Sequence, residues 1–486
     1  MIKKHFTKNG QISVELLFLS AIIVALIGGF VSLAASFLQL SVRAQNKLQA
    51  FSVAEAGIEY YRWHLAHSVG DYWDGNGSST PGPYVHQYYD KSGNEIGEFS
   101  LVVTPPPVNS QLVTVQSTGK VIADSSITKV ITVKMVPSNL MQYNIVQNDN
   151  LLIGASTTIY GPVMSNGGVQ FNGYAANLVQ SAETTFQDPA NSNKTEWAVY
   201  TTVSPGDPQP PTALPTRTDV FSAGRQLAVP PVDFTALSGV LANIQAFAQF
   251  GGVYATSSGA YGYDLAFSTS TPVGTTTYAL YKVTSIASPP NGCTNVTNVA
   301  GWGTWSVGTE TLVATGTIPK NGTFFVSDNL WVRGQINHAH IIVGAAVFPD
   351  NSATWANVAI NNSLRYTNYD GSDSMVVVAQ NNLNVGLYSD DVLRIDGALI
   401  AEHGRVGRFF YKDHQGNSNK CFPYATLTQV TIFGTIITDG SYQFGYDDGT
   451  GYGIRQILYD VNLYYNPPEV IPTLSNMTIV SWQETQ

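Results

Sequence analysis

The feature that most constrains this chain is an uncharged and mostly apolar run near its N-terminus, from Leu16 to Val42. About 20 predominantly apolar residues are enough to cross the roughly 30 Å hydrocarbon core of a bilayer as a helix. Lysines at positions 3, 4 and 8 precede the run and a large polar remainder follows it. The positive-inside rule therefore predicts a cytoplasmic N-terminus and an external bulk. A cleavable export signal is the alternative, but its apolar core is shorter, at about 7 to 15 residues.

The helical pattern continues beyond this run. Apolar residues recur there at steps of three or four, as on one face of a helix: Ala44, Leu48, Phe51, Ala54, Ile58, Tyr61 and Leu65. We expect one helix from about Ser13 to about Ala66, roughly 80 Å long at 1.5 Å per residue. Because a helix that crosses a bilayer needs to be far shorter than this, we expect the outer half of the helix to pack against protein. Gly28 and Gly29 weaken the helix by about 1 kcal/mol each, which favours either local melting or close helix approach.

Two short motifs on this helix resemble those of a known family. The order Lys8-Asn9-Gly10, Gln11-Ile12-Ser13-Val14-Glu15 and then a long apolar helix resembles a type IV prepilin leader. Further on, Ala54-Glu55-Ala56-Gly57-Ile58-Glu59 resembles the end of the N-terminal segment of PilX-type minor pilins, which include pseudopilins of the GspK kind. Gln11 stands where most bacterial pilins carry Phe, as in archaeal-type class III signals. The resemblance leaves a bacterial or an archaeal source open.

The resemblance implies a role for Glu15, an acid beside an apolar run. A membrane peptidase would cut after Gly10, and the new amine of Gln11, expected to be methylated, would pair with Glu15 of a neighbouring subunit. An unpaired buried partner would cost about 3 to 5 kcal/mol, so the pair would select the register and direction of assembly. The alternative is that Glu15 only reaches the membrane interface near the helix start.

Composition indicates that the rest of the chain is mainly β. Only 12% of its 486 residues are charged, and it contains 44 glycines. A net charge of -10 with no long basic run argues against a nucleic-acid partner. After the turn-rich stretch "DGNGSSTPGP", the runs "IGEFSLVVT", "LVTVQSTGKVI" and "SSITKVITVKMV" show the alternation of strands. They predict a small antiparallel sheet packed on the helix, pilin-like, ending near Pro137.

The remaining two-thirds carries an irregular repeat. "TIYGPVMSNGG", "WVRGQINHAH", "RIDGALIAEHG" and "TIFGTIITDGS" share an apolar residue, any residue, Gly, any residue and an apolar residue, around glycines 161, 334, 397 and 434. Stacked coils of a β-helix, or solenoid, explain this pattern, with glycines at corners where a Cβ would clash. A β-sandwich is the alternative. The longest insertion, about 174–319, contains the helical segment "DFTALSGVLANIQAFAQFGG" and a Pro-rich stretch, and is expected to be a lateral flap.

The expected architecture is therefore α+β, in four parts. A leader occupies 1–10, a transmembrane and amphipathic helix 11–66, a small antiparallel module 67–137, and a mainly-β solenoid domain 138–486.

Several side chains merit consideration as chemical sites. Parallel β-helices often host polysaccharide lyases and hydrolases, and one stretch offers acids, a base and cations: Asp390, Asp391, Arg394, Asp396, Glu402, His403 and Arg405. Glycoside hydrolysis needs two carboxylates at a defined separation, which sequence does not give, and solvated corners produce such clusters as well. His338 and His340 would lie on one strand face without a third metal ligand. "YDGSDS" and "YDDGTG", starting at Tyr369 and Tyr446, resemble acidic calcium turns but are favoured as ordinary turns.

The chain has two cysteines, Cys293 and Cys421, both in the part predicted to lie outside the cell. They can pair if their Cα atoms come within about 7 Å, and the sequence leaves this open.

The sequence predicts a minor type IV pilin or pseudopilin-like subunit without catalytic activity, cofactor or metal. It would lie in the cytoplasmic membrane before assembly and in a surface filament afterwards, at the tip because of its bulk. Its partners would be other pilins, the prepilin peptidase, the assembly machinery and a cell-surface or carbohydrate ligand that it adheres to. It could instead prime assembly. The alternative is a membrane-tethered extracellular polysaccharide lyase or hydrolase.

Overall fold

The computed structural model describes residues 9–77, 80, 82–107, 110–237, 239–269, 274–293, 303–411, 420–467, 471 and 476–485. The first eight residues of the predicted leader lie outside the described residues, and Gly10 and Gln11 are described as helical backbone only. The chain forms two compact units. The first runs to Pro137 and also includes the last strand of the chain, and the second begins at Ser138.

The secondary structure consists mainly of short strands. The helices are α1 (Asn9–His67), α2 (Val240–Gln249) and α3 (Val461–Tyr465). The early strands are β1 (Tyr84–Tyr89), β2 (Glu95–Thr104), β3 (Val113–Val121), β4 (Asp124–Pro137), β5 (Ile145–Gln147), β6 (Leu151–Ile153), β7 (Thr157–Ile159), β8 (Val163–Ser165), β9 (Val169–Phe171), β10 (Tyr174–Ala175), β11 (Val179–Ser181), β12 (Thr185–Asp188), β13 (Lys194–Trp197), β14 (Val199–Tyr200) and β15 (Arg225–Gln226).

The later strands are β16 (Val253–Ala255), β17 (Gly262–Thr269), β18 (Thr276–Ile286), β19 (Val307–Thr317), β20 (Thr323–Val326), β21 (Leu330–Ile336), β22 (His340–Ala345), β23 (Val358–Ala359), β24 (Leu364–Tyr366), β25 (Ser374–Ala379), β26 (Leu383–Val385), β27 (Val392–Ala401), β28 (Val406–Arg408), β29 (Thr426–Thr438), β30 (Tyr442–Gln443), β31 (Gly451–Tyr459) and β32 (Met477–Thr485). Three short 3₁₀ helices are also described: Leu140–Gln142, Pro189–Asn191 and Phe234–Leu237.

In the first unit, the C-terminal half of α1 packs on an antiparallel sheet of order β1-β2-β3-β4-β32. Alternate residues of each strand face the helix, and in β4 these are Ile131, Val133 and Met135, all fully buried. The helix contributes a buried stripe that includes Ala50, Val53, Ala54, Ile58, Tyr61 and Leu65. The sequence periodicity predicted the start of this buried stripe incorrectly. Ala44 and Leu48 are exposed, because the face covered by the sheet begins at Asn46 and Ala50 instead.

The sequence pattern did not predict two of the five strands. β1 carries mixed aromatic and polar residues, and β32 lies at the end of the chain, where it pairs antiparallel with β4, Thr485 opposite Val130. The prediction that the domain beginning at 138 extends to 486 is therefore wrong at its end. A run such as "MTIVSWQET" has strand propensity, but which edge it joins is a long-range choice that the local pattern does not carry.

The second unit is built from ladders of parallel strands. One ladder runs β20-β22-β25-β27-β29-β5-β8-β11-β15, and another runs β17-β21-β24-β27-β29-β31-β7-β10. Shorter ladders are β23-β26-β28-β30 and β6-β9-β14. In the first ladder β29 is followed by β5, so the first strand of this unit in sequence lies beside one of its last.

Three of the four glycines of the repeat, Gly334, Gly397 and Gly434, lie where a strand passes from one neighbour to another. In β27, Ile395 pairs with Leu364 of β24, whereas Ala398 pairs with Val376 of β25. Gly397 lies between these two pairings with φ of 135°, a conformation that disfavours side chains. Gly334 and Gly434 have φ values of 114° and 154°, and a Cβ on either would lie 1.9 Å from a carbonyl oxygen of the adjacent strand.

The first ladder is buried on both of its faces. Its inward side chains, such as Val377 and Leu399, belong to a long core shared by the ladders. Its outward side chains, such as Val376 and Ile400, form a second core with Leu241 and other residues of α2. This explains why β25 reads as a continuous apolar run, Ser-Met-Val-Val-Val-Ala, rather than as an alternation.

The prediction of one insertion over about 174–319 is wrong where strands of this segment join the parallel ladders of the second unit. Strands β10, β11, β15, β16 and β17 take part in the parallel ladders, and the predicted helical segment forms α2, which covers one of them. Only β18 and β19 form a long antiparallel arm, attached to β17. Strands β10, β11, β15 and β16 have only two or three residues each, which leaves too little sequence for periodicity to show.

Candidate functional sites: an exposed apolar helix and a carboxylate cleft

The N-terminal half of α1 is exposed along its whole described length. No residue from Ile12 to Val42 is buried, and large apolar side chains such as Leu17 and Phe30 are 70% exposed. Of the described residues, α1 is the one helix long and apolar enough to cross a membrane, judged by length and composition. Apolar surface on this scale needs lipid or protein neighbours. Glu15 is the sole charged residue between Ile12 and Val42, and it too is exposed.

The second motif on α1 is explained by packing. Ala54 and Ile58 are fully buried, and a Cβ on Gly57 would lie 2.3 Å from Oγ of Ser117 in β3. Gly119 of β3 complements this contact, because a Cβ there would lie 2.1 Å from the Ala50 carbonyl oxygen. Small residues on both elements thus allow the helix and the sheet to approach closely. The acids of this motif, at 55 and 59, are exposed.

The acids and bases singled out between 390 and 405 do not form one site. The Asp390 carboxylate accepts hydrogen bonds from Ser363 N at 2.8 Å and Asn362 Nδ2 at 2.9 Å. Asp391 accepts from both the amide and the hydroxyl of Thr428, at 2.9 and 2.7 Å. Both acids therefore join separate segments of the chain, which is a structural role.

The other members of this group face different surroundings. Asp396 is fully buried, and Arg394 Nε and the Tyr369 hydroxyl both donate to it at 2.8 Å. Burial raises the pKa of Asp396. Burial also raises the pKa of Glu402 to about 7, with the Asp350 carboxylate as a second cause. The His403 ring stacks on Trp355 with centroids 4.2 Å apart, and the Arg405 guanidinium lies 4.1 Å from the centre of the Phe409 ring.

The suggested metal ligands have ordinary structural roles. His340 Nδ1 lies 2.6 Å from Ser374 Oγ, and His338 has a positive φ of 48° in the turn before β22. Asp370 accepts from Ser372, and Asp448 accepts from Thr450, as in Asx turns. Among the residues that the structure describes, no group of three or more His, Cys, Asp or Glu side chains is arranged to hold a metal ion.

The cysteine pairing left open by the sequence is formed in the structure. Cys293 and Cys421 are joined by a disulfide with a Cα–Cα distance of 4.7 Å, and both are buried. Leu387, Tyr411 and Ala425 surround them in a small apolar cluster.

A cleft that sequence reasoning missed lies beside the antiparallel arm. It encloses about 320 Å³ and is lined by residues of β17, β19 and β21 and of the segments after β23 and β26. We call it the carboxylate cleft, because Asp264, Glu310 and Arg333 meet in it. Arg333 Nε donates to Asp264 at 2.8 Å, and its Nη2 donates to Glu310 at 3.1 Å. These residues are 69 positions apart at most and share no motif, so no local signal marks them.

The electrostatics of the cleft are unusual. Asp264 is 2% exposed, and its Oδ1 accepts no hydrogen bond from a described donor, nor does Oε2 of Glu310. Burial raises the pKa of Asp264 to about 7; the direct interaction with the Glu310 carboxyl adds to the rise, and Arg333 opposes it. Asp264 therefore keeps its proton over more of the acidic range than an exposed aspartate does.

We expect Asp264→Asn to reduce the pH dependence of stability. The pKa of Asp264 is about 7 in the folded chain, above its ordinary value of 3.8. Between pH 3.8 and about 7, the folded state therefore holds a proton on Asp264 that the unfolded state has released. Stability must then fall as pH rises from about 4 to about 7. Denaturant unfolding of the variant between pH 4 and 8 should show a smaller fall than the parent. Asp219→Asn, which removes an exposed acid paired with Arg217, is the matched control and should leave this slope unchanged. An equal slope in parent and Asp264→Asn would contradict the assignment.

These observations define a class of protein that combines an exposed apolar N-terminal helix, a small antiparallel sheet and a large unit of parallel ladders. No protein-family model matches the chain, and no curated protein matches it. The solved structures that match include the competence-associated pilin ComZ from Thermus thermophilus, at 13% sequence identity and a TM-score of 0.29. The match covers 90% of this chain and 97% of that one. A TM-score of this size does not establish a shared fold.

Proposed function

We propose that this protein is a minor subunit of a type IV pilin-like surface filament. The observation that carries the proposal is the division of α1 into an exposed apolar half and a half packed on an antiparallel sheet. The exposed half is suited to lipid before assembly and to the equivalent helices of other subunits afterwards. The leader residues Gly10 and Gln11 and the acid at Glu15 have the spacing of a processed, methylated pilin N-terminus.

Glu15 is the residue on which assembly would depend. In this proposal its carboxylate pairs with the Gln11 amine of the neighbouring subunit, within the apolar core of the filament. Removing one partner of a buried ion pair leaves an uncompensated charge, at about 3 to 5 kcal/mol. Before assembly, the helix would hold the chain in the cytoplasmic membrane with its N-terminus inside.

We further propose that the second unit is a β-solenoid presented outside the filament. The successive parallel ladders support this architecture, as do the glycines at which strands pass from one neighbour to the next. A unit of this size repeated along a thin fibre would crowd its neighbours, which favours the tip. No catalytic role is proposed, because the acids between 390 and 405 lie in separate surroundings.

We expect Glu15→Gln to be processed normally but lost from filaments. The variant would retain the leader and the helix, while the Gln11 amine of its neighbour would lose its partner. Mass spectrometry of the membrane fraction should find a mature chain starting at Gln11 in parent and variant alike. Immunoblots of sheared filaments should show at least a tenfold lower content of the variant, the factor that 1.4 kcal/mol corresponds to.

Glu55→Gln is the matched control, because it makes the same change at an exposed position of α1. It should be incorporated at the parental level. Normal incorporation of Glu15→Gln would overturn the proposed role of Glu15. A mature chain that starts at Met1, or beyond Val42, would overturn the pilin assignment itself.

A further inference from the structure

We infer that the carboxylate cleft binds a neutral saccharide through its hydroxyl groups. The inference goes beyond the proposed role as a filament subunit and rests on that role only for the use that the cell makes of the binding. The cleft is within the size range of small-ligand sites, about 300 to 1,000 Å³. It combines a charged floor with aromatic residues at its side.

The polar groups of the cleft offer both donors and acceptors. Asp264 Oδ1 and Glu310 Oε2 accept no hydrogen bond from a described donor, and Arg333 Nη1 donates to no described acceptor. The Asn362 amide lines the same cleft and donates to Asp390 at 2.9 Å, which leaves its carbonyl oxygen as an acceptor. A hydroxyl donates one hydrogen bond and accepts others, so a polyol can satisfy both kinds of group at once.

The charges select against ions. Arg333 already pairs with both acids, 2.8 Å from one and 3.1 Å from the other, so a second cation would have to compete with it for them. The two carboxyls would repel an anion. An uncharged ligand avoids both penalties, and its hydrogen bonds to the ionised groups would be charge-assisted.

Aromatic side chains continue from the cleft along one side. Tyr388 lines the cleft, and its hydroxyl donates to the Ser288 carbonyl at 2.8 Å, which fixes the ring. The Tyr424 ring meets Tyr388 edge-on with centroids 4.7 Å apart, and Tyr424 is 41% exposed. Such rings provide apolar faces for the C–H groups of a sugar while the polar floor binds its hydroxyls.

The arrangement favours binding over hydrolysis. Glycosidases separate their two carboxyl groups by about 5 to 5.5 Å or 6.5 to 9.5 Å, so that the scissile bond, with or without a water, fits between them. Asp264 and Glu310 are instead joined by Arg333, which donates to both carboxyls and so pairs them with a single cation.

The test is titration calorimetry of the detergent-solubilised full chain with six probes. Four are neutral oligosaccharides: cellohexaose, maltohexaose, mannohexaose and chitohexaose. Hexagalacturonate and spermine are the anionic and cationic probes. We expect at least one neutral hexasaccharide to bind and Glu310→Gln to weaken that binding about tenfold, as for a lost charge-assisted hydrogen bond.

Asp219→Asn is the matched control, since it converts another arginine-paired acid to its amide away from the cleft, and it should bind like the parent. Thermal melts would verify that both variants are folded. A second variant, Asn362→Ala, changes an exposed side chain and should also weaken binding. Binding of only the charged probes, binding of none, or equal affinity of Glu310→Gln and parent would overturn the inference. Filament incorporation of Glu310→Gln should stay at the parental level, so a failure here is distinguishable from a failure of the pilin assignment.

Discussion

Gly334→Ala is expected to destabilise the second unit by about 3 kcal/mol or more. Gly334 has a φ of 114°, which side chains rarely adopt, and an added Cβ would lie 1.9 Å from the Phe267 carbonyl oxygen. That oxygen belongs to β17, which pairs with β21 at this position, so the backbone of one strand must move. A single added methyl group is enough to disturb the ladder, because it would clash with a main-chain oxygen. A change of side-chain rotamer cannot relieve such a clash.

Denaturant unfolding followed by circular dichroism in detergent measures this change. Gly453→Ala is the matched control, because Gly453 also lies in a strand of the second unit but its Cβ would meet the Thr428 carbonyl oxygen at an ordinary 3.5 Å. We expect a change of about 0.5 kcal/mol or less there. Equal stability of Gly334→Ala and Gly453→Ala would show that the strand is free to rearrange at this glycine.

The second large effect is expected at Arg408, a fully buried arginine. Its guanidinium donates to the Gly386 carbonyl, to the Leu387 carbonyl at 3.1 Å and to the Tyr424 carbonyl at 2.6 Å. It also donates to Ser389 Oγ at 2.7 Å. These bonds tie the segment after β26 to the segment before β29, and they hold the backbone of the aromatic side of the carboxylate cleft.

We expect Arg408→Met to lower the free energy of unfolding by about 3 kcal/mol or more, because several buried carbonyls lose their donor while the site keeps its volume. Melting temperature and saccharide affinity should fall together, since Tyr388 and Tyr424 lie in the segments that Arg408 joins. Arg365→Ala is the control: that arginine is exposed, with a 3.4 Å contact to Ser363 Oγ, and its loss should have little effect. An unchanged melting temperature in Arg408→Met would contradict the role of Arg408 as a link.

Local patterns predicted the parts of the fold in which neighbours in sequence are neighbours in space. The apolar run and its three-and-four spacing predicted α1, whose observed range is Asn9–His67. Alternation predicted β2, β3 and β4, with Ile131, Val133 and Met135 on the buried face. In each case the period of the side chains equals the period of the element, so the signal is contained in about ten residues.

The carboxylate cleft could not be predicted in this way. Asp264, Glu310 and Arg333 lie in three separate strands, and of these only Arg333 belongs to a motif, the repeat around Gly334. The sequence directed attention instead to the acids between 390 and 405, which are close along the chain. In the structure, the parallel ladders place residues that are close along the chain in different surroundings, and bring distant ones together.

By itself, the sequence determined that this chain has a long apolar helix with one acid near its start, followed by a small antiparallel sheet and then a large β region with glycine-marked bends. Hydrophobic burial and backbone sterics decide such features locally. Only the tertiary structure decided that the last strand joins the first unit, that the first strand of the second unit lies beside one of its last, and that two acids meet an arginine in a cleft. Those outcomes depend on hydrogen bonds between strands far apart in sequence, and one strand's residues do not encode which partner it will find.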